Sequence, residues 1–328
     1  MTGVTGLLAA GLAVLVACTP GGGSDPAAAP TPTGSGAPAA TSSVPPTAEP
    51  SDTATAPTPG SPTEPAGTFD ARAAMADVRA LAALGPREAT STAYAQAADL
   101  VAARLMGLGY DVTRERFRVP EGVSWGVPVP AGRSSNVVAR LPGGTGDGRP
   151  VLVGAHLDTV PQAPGAEDNA SGVAVLLELA RLAAAEGTAR PVTFVAFGAE
   201  EPRGPGDDGH HYGSRVHVDR GSTPRPAAVV SLDRVGAPGR VPVCTGGLSP
   251  LRVRRGLLAA ADRVGVPARA CVNRTSDHWP FERAGRTVAR VGGNEYAAYH
   301  SAGDRPRAVS RRQIDRVGRT VWEWLRTA

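Results

Sequence analysis

Two histidines, His156 and His300, and five carboxylates, Asp158, Asp168, Glu200, Glu201 and Asp233, are of the types that bind and work with divalent metals. Imidazole and carboxylate are good zinc ligands, and a catalytic zinc takes three protein ligands while leaving one position for water. In His156-x-Asp158, an extended chain puts both side chains on one side. Asp158 is then placed to accept a hydrogen bond from the far imidazole nitrogen and fix the tautomer. Carboxylates packed together without compensation would repel one another, and bound cations supply that compensation.

The elements that position these residues follow from periodicity and punctuation. Helices are predicted over Asp70–Leu84 and Ser91–Leu108, the second stopped by Gly109. Strands are predicted over Val112–Val119, Asn136–Leu141 and Val151–Ala155, the last two joined as a hairpin through the glycine run after Leu141. Helix Ser171–Ala185, strand Val192–Phe197, strand Ala227–Leu232, helix Leu251–Val264, strand Thr287–Val291 and helix Ser310–Thr327 complete the pattern. Short continuous apolar strands alternating with helices predict an α/β three-layer sandwich with a mixed, mainly parallel central sheet. In such sheets, sites form outside the carboxyl ends of the strands. His156 and Asp158, Glu200 and Glu201, Asp233, and Tyr299 and His300 each follow a different strand, so four strand ends converge on one rim.

The motifs His156-Leu157-Asp158, Gly165-Ala166-Glu167-Asp168-Asn169-Ala170-Ser171-Gly172, Glu200-Glu201, Ser231-Leu232-Asp233 and Tyr299-His300, in this order, resemble the two-zinc exopeptidases of peptidase family M28. The resemblance implies that His156 and Asp233 bind one zinc, Glu201 and His300 the other, and that Asp168 bridges both. It implies Glu200 as general base, Asp158 as orienter of His156, a cis Asp168–Asn169 peptide, and Tyr299 as a donor to the developing oxyanion. Two Zn²⁺ less the charges of Asp168, Glu201 and Asp233 leave a single positive charge, which a bridging hydroxide neutralises. The implied activity is that of a zinc-dependent aminopeptidase acting on peptides. Alternatives on the same scaffold are a glutaminyl cyclase, a carboxypeptidase-like hydrolase, and an inactive lipoprotein that binds peptide or metal. Ser276-Asp277-His278 resembles a triad only superficially, and the family carries a similar run at a helix start near the substrate pocket. His210 and His211 read as residues of a flexible insertion after the acid pair rather than as ligands.

Composition excludes other chemistries. All 34 basic residues are Arg, so no Schiff-base lysine and no phosphate-binding Gly-Lys loop is possible. No His-Glu-x-x-His helix occurs. Four of the 30 acids and none of the arginines precede residue 67, so the remainder carries a formal +8. With aromatics at 4% and no interleaved basic run, this charge does not point to nucleic acid, and no partner protein is inferred.

Residues 1–17 read as an export signal whose apolar run, Val4–Ala17, falls short of the roughly 20 residues of a membrane span. It ends in Leu-Val-Ala-Cys, which resembles a lipobox with Cys18 as the lipidated residue, although no basic residue precedes it. Residues 18–67, rich in Pro, Ala, Thr and Ser, predict a disordered spacer. Residues 68–328 then form the single peptidase-like domain. The expected location is the outer face of the cell membrane, reached through the lipid anchor, or alternatively the medium as a secreted protein. In an oxidising compartment Cys244 and Cys271 suggest a disulfide, the alternative being two buried thiols.

Overall fold

The computed structural model describes residues 67–144, 148–223 and 225–328; the expected signal, Cys18 and nearly all of the spacer lie outside these residues. An eight-stranded sheet forms the middle layer. In chain order its strands are β1 (Asp111–Val119), β4 (Gly132–Arg140), β5 (Val151–His156), β6 (Val192–Phe197), β7 (Ala228–Leu232), β8 (Val241–Thr245), β9 (Ala268–Val272) and β10 (Val288–Val291). A separate two-stranded hairpin, β2 (Gly122–Ser124) and β3 (Val127–Val129), interrupts the path from β1 to β4.

The spatial order is β1-β4-β6-β5-β7-β10-β8-β9. Strands β6, β5, β7 and β10 are parallel neighbours, and the pairings of β1 with β4, β4 with β6, and β10 with β8 are antiparallel. The mixed, mainly parallel sheet is as expected, but the predicted hairpin between Asn136–Leu141 and Val151–Ala155 is not. Strand β6 lies between β4 and β5, pairing with both. The antiparallel partner of β4 on its other side is β1, in register from Asp111 with Arg140 to Val119 with Gly132.

Side-chain alternation sets the layers. Val137 and Ala139, Val151 and Val153, Phe194 and Ala196, Val230 and Leu232, and Ala289 and Val291 face the larger core. There they meet helices α1 (Ala71–Ala83), α2 (Thr92–Gly107), α3 (Ser171–Glu186), α5 (Arg252–Arg263) and α7 (Arg311–Thr327). The intervening Val138, Leu152, Val195, Val229 and Val288 face the opposite side with Phe281. That face is covered by the short helices α4 (Tyr212–Asp219) and α6 (His278–Arg283). Three helices predicted from sequence begin at a residue that caps them in the structure. Asp70 accepts from the amides of Arg72 and Ala73, Ser91 from Tyr94, and Ser310 from Gln313.

The insertion after Glu201 is not a free loop. Its end, Asp207–Gly209, is a 3-10 turn ahead of helix α4, and Asp207 accepts a hydrogen bond from the Trp279 indole at 2.8 Å. Strands β8 and β9 are joined where Cys244 lies opposite Cys271, and the two form a disulfide.

Candidate metal centre

His156 ends β5, the Glu200–Glu201 pair follows β6, Asp233 follows β7, and His300 lies on the loop after β10. Because these four strands are parallel neighbours, all four positions fall on one rim of the sheet. Asp168 reaches the same place from the turn that opens α3, where the Asp168–Asn169 peptide is cis. The five predicted ligands therefore meet. His156 Nε2 lies 3.2 Å from Asp168 Oδ1 and 3.8 Å from Asp233 Oδ1. On the other side, His300 Nε2 lies 3.0 Å from Asp168 Oδ2 and 3.5 Å from Glu201 Oε1. Each oxygen of Asp168 thus faces a different histidine.

Backbone geometry holds this arrangement. Asp304, buried, accepts the amides of Glu167 at 2.8 Å and Asp168 at 3.1 Å, and the Tyr296 hydroxyl at 3.0 Å. Asn169 donates to the Leu232 carbonyl at 2.8 Å and accepts from the amides of Gly172 and Arg234, tying the α3 turn to the end of β7. Gly172 is required there, since a Cβ would lie 2.4 Å from Asn169 Oδ1. Asp158 acts differently from expectation. Its carboxylate comes no closer than 3.9 Å to His156 Nδ1, which instead donates to the Asp158 backbone carbonyl at 3.2 Å. The two carboxylate oxygens accept the amides of Glu200 and Glu201 at 3.0 and 3.1 Å. Asp158 therefore orients the acid pair through its side chain and His156 through its backbone.

The electrostatics are those of a site that lacks positive charge. Burial pushes the carboxyls of Glu200 and Glu201 up to about 8, and neighbouring carboxylates add to the shift. Burial alone would also raise Asp168, but hydrogen bonds from His156 and His300 hold it well below the carboxylate range. His300 is raised to about 9: burial opposes its protonation, and Asp168 and Glu201 overcome that. Asp233 directs Oδ2 at the buried Arg290, 3.1 Å away, while Oδ1 is buried with no hydrogen-bond partner.

Zinc fits these residues. One nitrogen or oxygen from each of His156, Asp168 and Glu201 lie within 4.8 Å of one another, as do those of His156, Glu200 and Asp233. Such a mixed imidazole and carboxylate set is a zinc donor set, and the unpartnered Asp233 oxygen is the orphaned acceptor a cation would satisfy.

The sequence profile of peptidase family M28 matches residues 136–325, more than half of the chain. The chain belongs to peptidase family M28. Among solved structures, this M28 peptidase is similar to BSAP, a zinc aminopeptidase from Bacillus subtilis, at 20% identity and a TM-score of 0.68, covering 78% of this chain and 94% of that one. A leucine aminopeptidase precursor from Bacteroides thetaiotaomicron is similar at 20% identity and a TM-score of 0.69, over 80% and 98% of the two chains. A glutaminyl cyclase from the same species reaches 20% identity and a TM-score of 0.70, over 80% and 99%. Comparison with curated protein sequences gives no match.

Tyr299 stacks on His300 with ring centroids 3.6 Å apart, and the Arg234 guanidinium lies 4.5 Å over its ring. Burial raises its phenol, so the hydroxyl keeps its proton in this M28 peptidase at neutral pH. Of three further neighbours of the centre, Arg290 and Trp125 carry no recognisable motif, and His211 reads from sequence as a residue of the insertion. His211, buried, places Nε2 3.4 Å from Glu200 Oε1. Arg290 supports Asp233 from β10. Trp125, at the tip of the β2–β3 hairpin, packs edge-on against His300 with centroids 4.3 Å apart. Asp277 is buried on the Glu200 side, its carboxyl pushed up to about 7 by burial and then by the Glu200 charge. His278 donates to the Asn273 carbonyl at 2.8 Å, so Ser276, Asp277 and His278 do not form a triad.

Proposed function

We propose that the chain is a two-zinc exopeptidase that removes N-terminal residues from peptides. The observation that carries this reading is the division of the Asp168 carboxylate, one oxygen toward His156 and the other toward His300. His156 and Asp233 would hold one ion, Glu201 and His300 the other, with Asp168 shared. When bound, zinc supplies Lewis acidity to the substrate carbonyl and lowers the pKa of water.

The remaining work belongs to the chain. Glu200 is buried and lies in the same cluster as His156 and Asp233. Bound cations favour its ionised form, so Glu200 takes the proton of the attacking water as general base and passes it to the leaving amine. Asp158 fixes the turn that aims Glu200 by holding both acidic-pair amides. The protonated phenol of Tyr299, beside His300, is available to donate to the developing oxyanion.

The test is a matched pair of proteins. Wild type should bind two zinc ions per chain and cleave free aminoacyl amides but not N-blocked ones, with loss of activity on chelation. Glu200→Gln should keep the zinc and lose at least about a hundredfold in kcat, the scale of general-base catalysis. Retained turnover in that variant would remove Glu200 from the mechanism. The similarity to a glutaminyl cyclase gives a second reading, a cyclase of N-terminal Gln. Ammonia release from Gln peptides without hydrolysis of leucyl amides would favour it.

A further inference from the structure

Trp125 occupies a position its backbone does not favour. Strands β2 and β3 pair from Gly122 with Val129 to Ser124 with Val127, leaving Trp125 and Gly126 as a two-residue turn. Both have positive φ, 46° and 83°, the signature of a type I′ turn. Such turns favour Asn-Gly or Gly-Gly, and a bulky side chain at positive φ is an outlier that the surrounding structure must hold in place. The indole is also 53% exposed, a placement that gains little from folding.

What the position provides is access to the metal centre. The indole meets His300 edge-on and lies 6.0 Å from the ring of Tyr299, itself 39% exposed. The hairpin is held there by the loop that carries the acid pair. Arg203, two residues after Glu201, donates at 2.7 Å to the carbonyls of Pro120 and Pro130, the two ends of the hairpin, and pairs with Glu88. The Val123 amide donates to the Arg203 carbonyl at 3.2 Å, and a Cβ on Gly122 would overlap that carbonyl. An exposed indole and phenol are too small for a protein interface, which buries about 800 Å² per partner, and suit one side chain.

We propose that Trp125 is a specificity-determining residue: its indole forms a wall of the substrate site and receives a large apolar side chain of the peptide. This rests on the exopeptidase reading. Trp125→Asn tests it without penalising the fold, because Asn-Gly is the preferred type I′ pair. In the zinc-loaded full chain, dipeptides bearing Leu, Phe or Ala at either residue should reveal a position where wild type prefers the bulky side chain. At that position, Trp125→Asn should reduce the bulky-to-alanyl ratio of kcat/KM about tenfold, chiefly through KM, and Trp125→Phe should restore most of it. The melting temperature of the Asn variant should be equal to or above that of wild type. A ratio unchanged within twofold at both positions overturns the proposal. If wild type cleaves none of these peptides, the exopeptidase reading fails, and fluorescence still decides the role of Trp125. The emission of wild type minus that of Trp125→Asn should shift to the blue with leucyl-leucine but not alanyl-alanine; no shift overturns it.

Discussion

Asp304 contacts neither histidine of the centre, yet it fixes the backbone of the one carboxylate that both histidines face. Partners of this kind cost 10- to 100-fold in metal affinity when removed. Asp304→Ala should therefore lower zinc affinity by about that factor, measured by titration against a competing chelator, with all five candidate ligands intact. Unchanged affinity would mean that the Asp168 turn is rigid without it. The contrast between ligand and support also explains what could be read from sequence. His156, Asp168, Glu201, Asp233 and His300 were legible because each follows a predicted strand or opens a predicted helix, where side chains have a known direction. Asp304, Asn169 and Arg290 act by hydrogen bonds and charge across the chain, and nothing in their local sequence announces the partner. Asp158 shows the limit within a single residue: its proximity to His156 was legible, but its closer engagement with the Glu200 and Glu201 amides depends on how β6 lies beside β5.

At the scale of elements, local chemistry was informative and long-range pairing was not. The predicted helix starts at Asp70, Ser91 and Ser310 coincide with residues whose side chains cap the helices. The glycine run after Leu141 signalled a turn equally well, but a turn does not say which strand is the neighbour, and β6 enters between β4 and β5. Helix α4 was missed because Tyr-Gly-Ser-Arg-Val-His-Val-Asp is poor in strong helix formers; tertiary contacts stabilise it. Glu115 on β1 provides one of these contacts, accepting from Asn136 at 2.7 Å, from His217 of α4 at 3.0 Å and from Ser222. Burial opposes its ionisation, but these donors prevail and lower its carboxyl to about 2. A carboxyl held below its ordinary 4.5 stabilises the fold fully above that pH and progressively less as pH falls toward 2. Glu115→Gln should have a lower urea midpoint than wild type at pH 7, with the gap narrowing between pH 4.5 and pH 2. A constant gap would show that the charge of Glu115 is not what fastens α4.

For the molecule as a whole, the candidate centre draws on residues from His156 to His300, so a bound metal would join the sheet rim, the α3 turn and the loop after β10 into one unit. The carboxyls of Glu200, Glu201, Asp158 and Asp233 are all buried, and burial with neighbouring carboxylates raises those of Glu200 and Glu201 to about 8. Cations relieve that cost of ionisation, and ligands that bind only the native state stabilise it by mass action. Zinc at about a thousandfold over its dissociation constant should add roughly 4 kcal/mol per site. Calorimetry of the chelated protein should show a single transition that moves upward with zinc and reaches its limit near two equivalents. The increment should persist in Glu200→Gln, since that residue is assigned to proton transfer and not to ligation. In Asp168→Asn it should fall by more than half, because one side chain then fails two ions at once. Equal transitions with chelator and with zinc would mean that these carboxylates are stabilised without metal, and the charge argument on which the centre rests would fail with it.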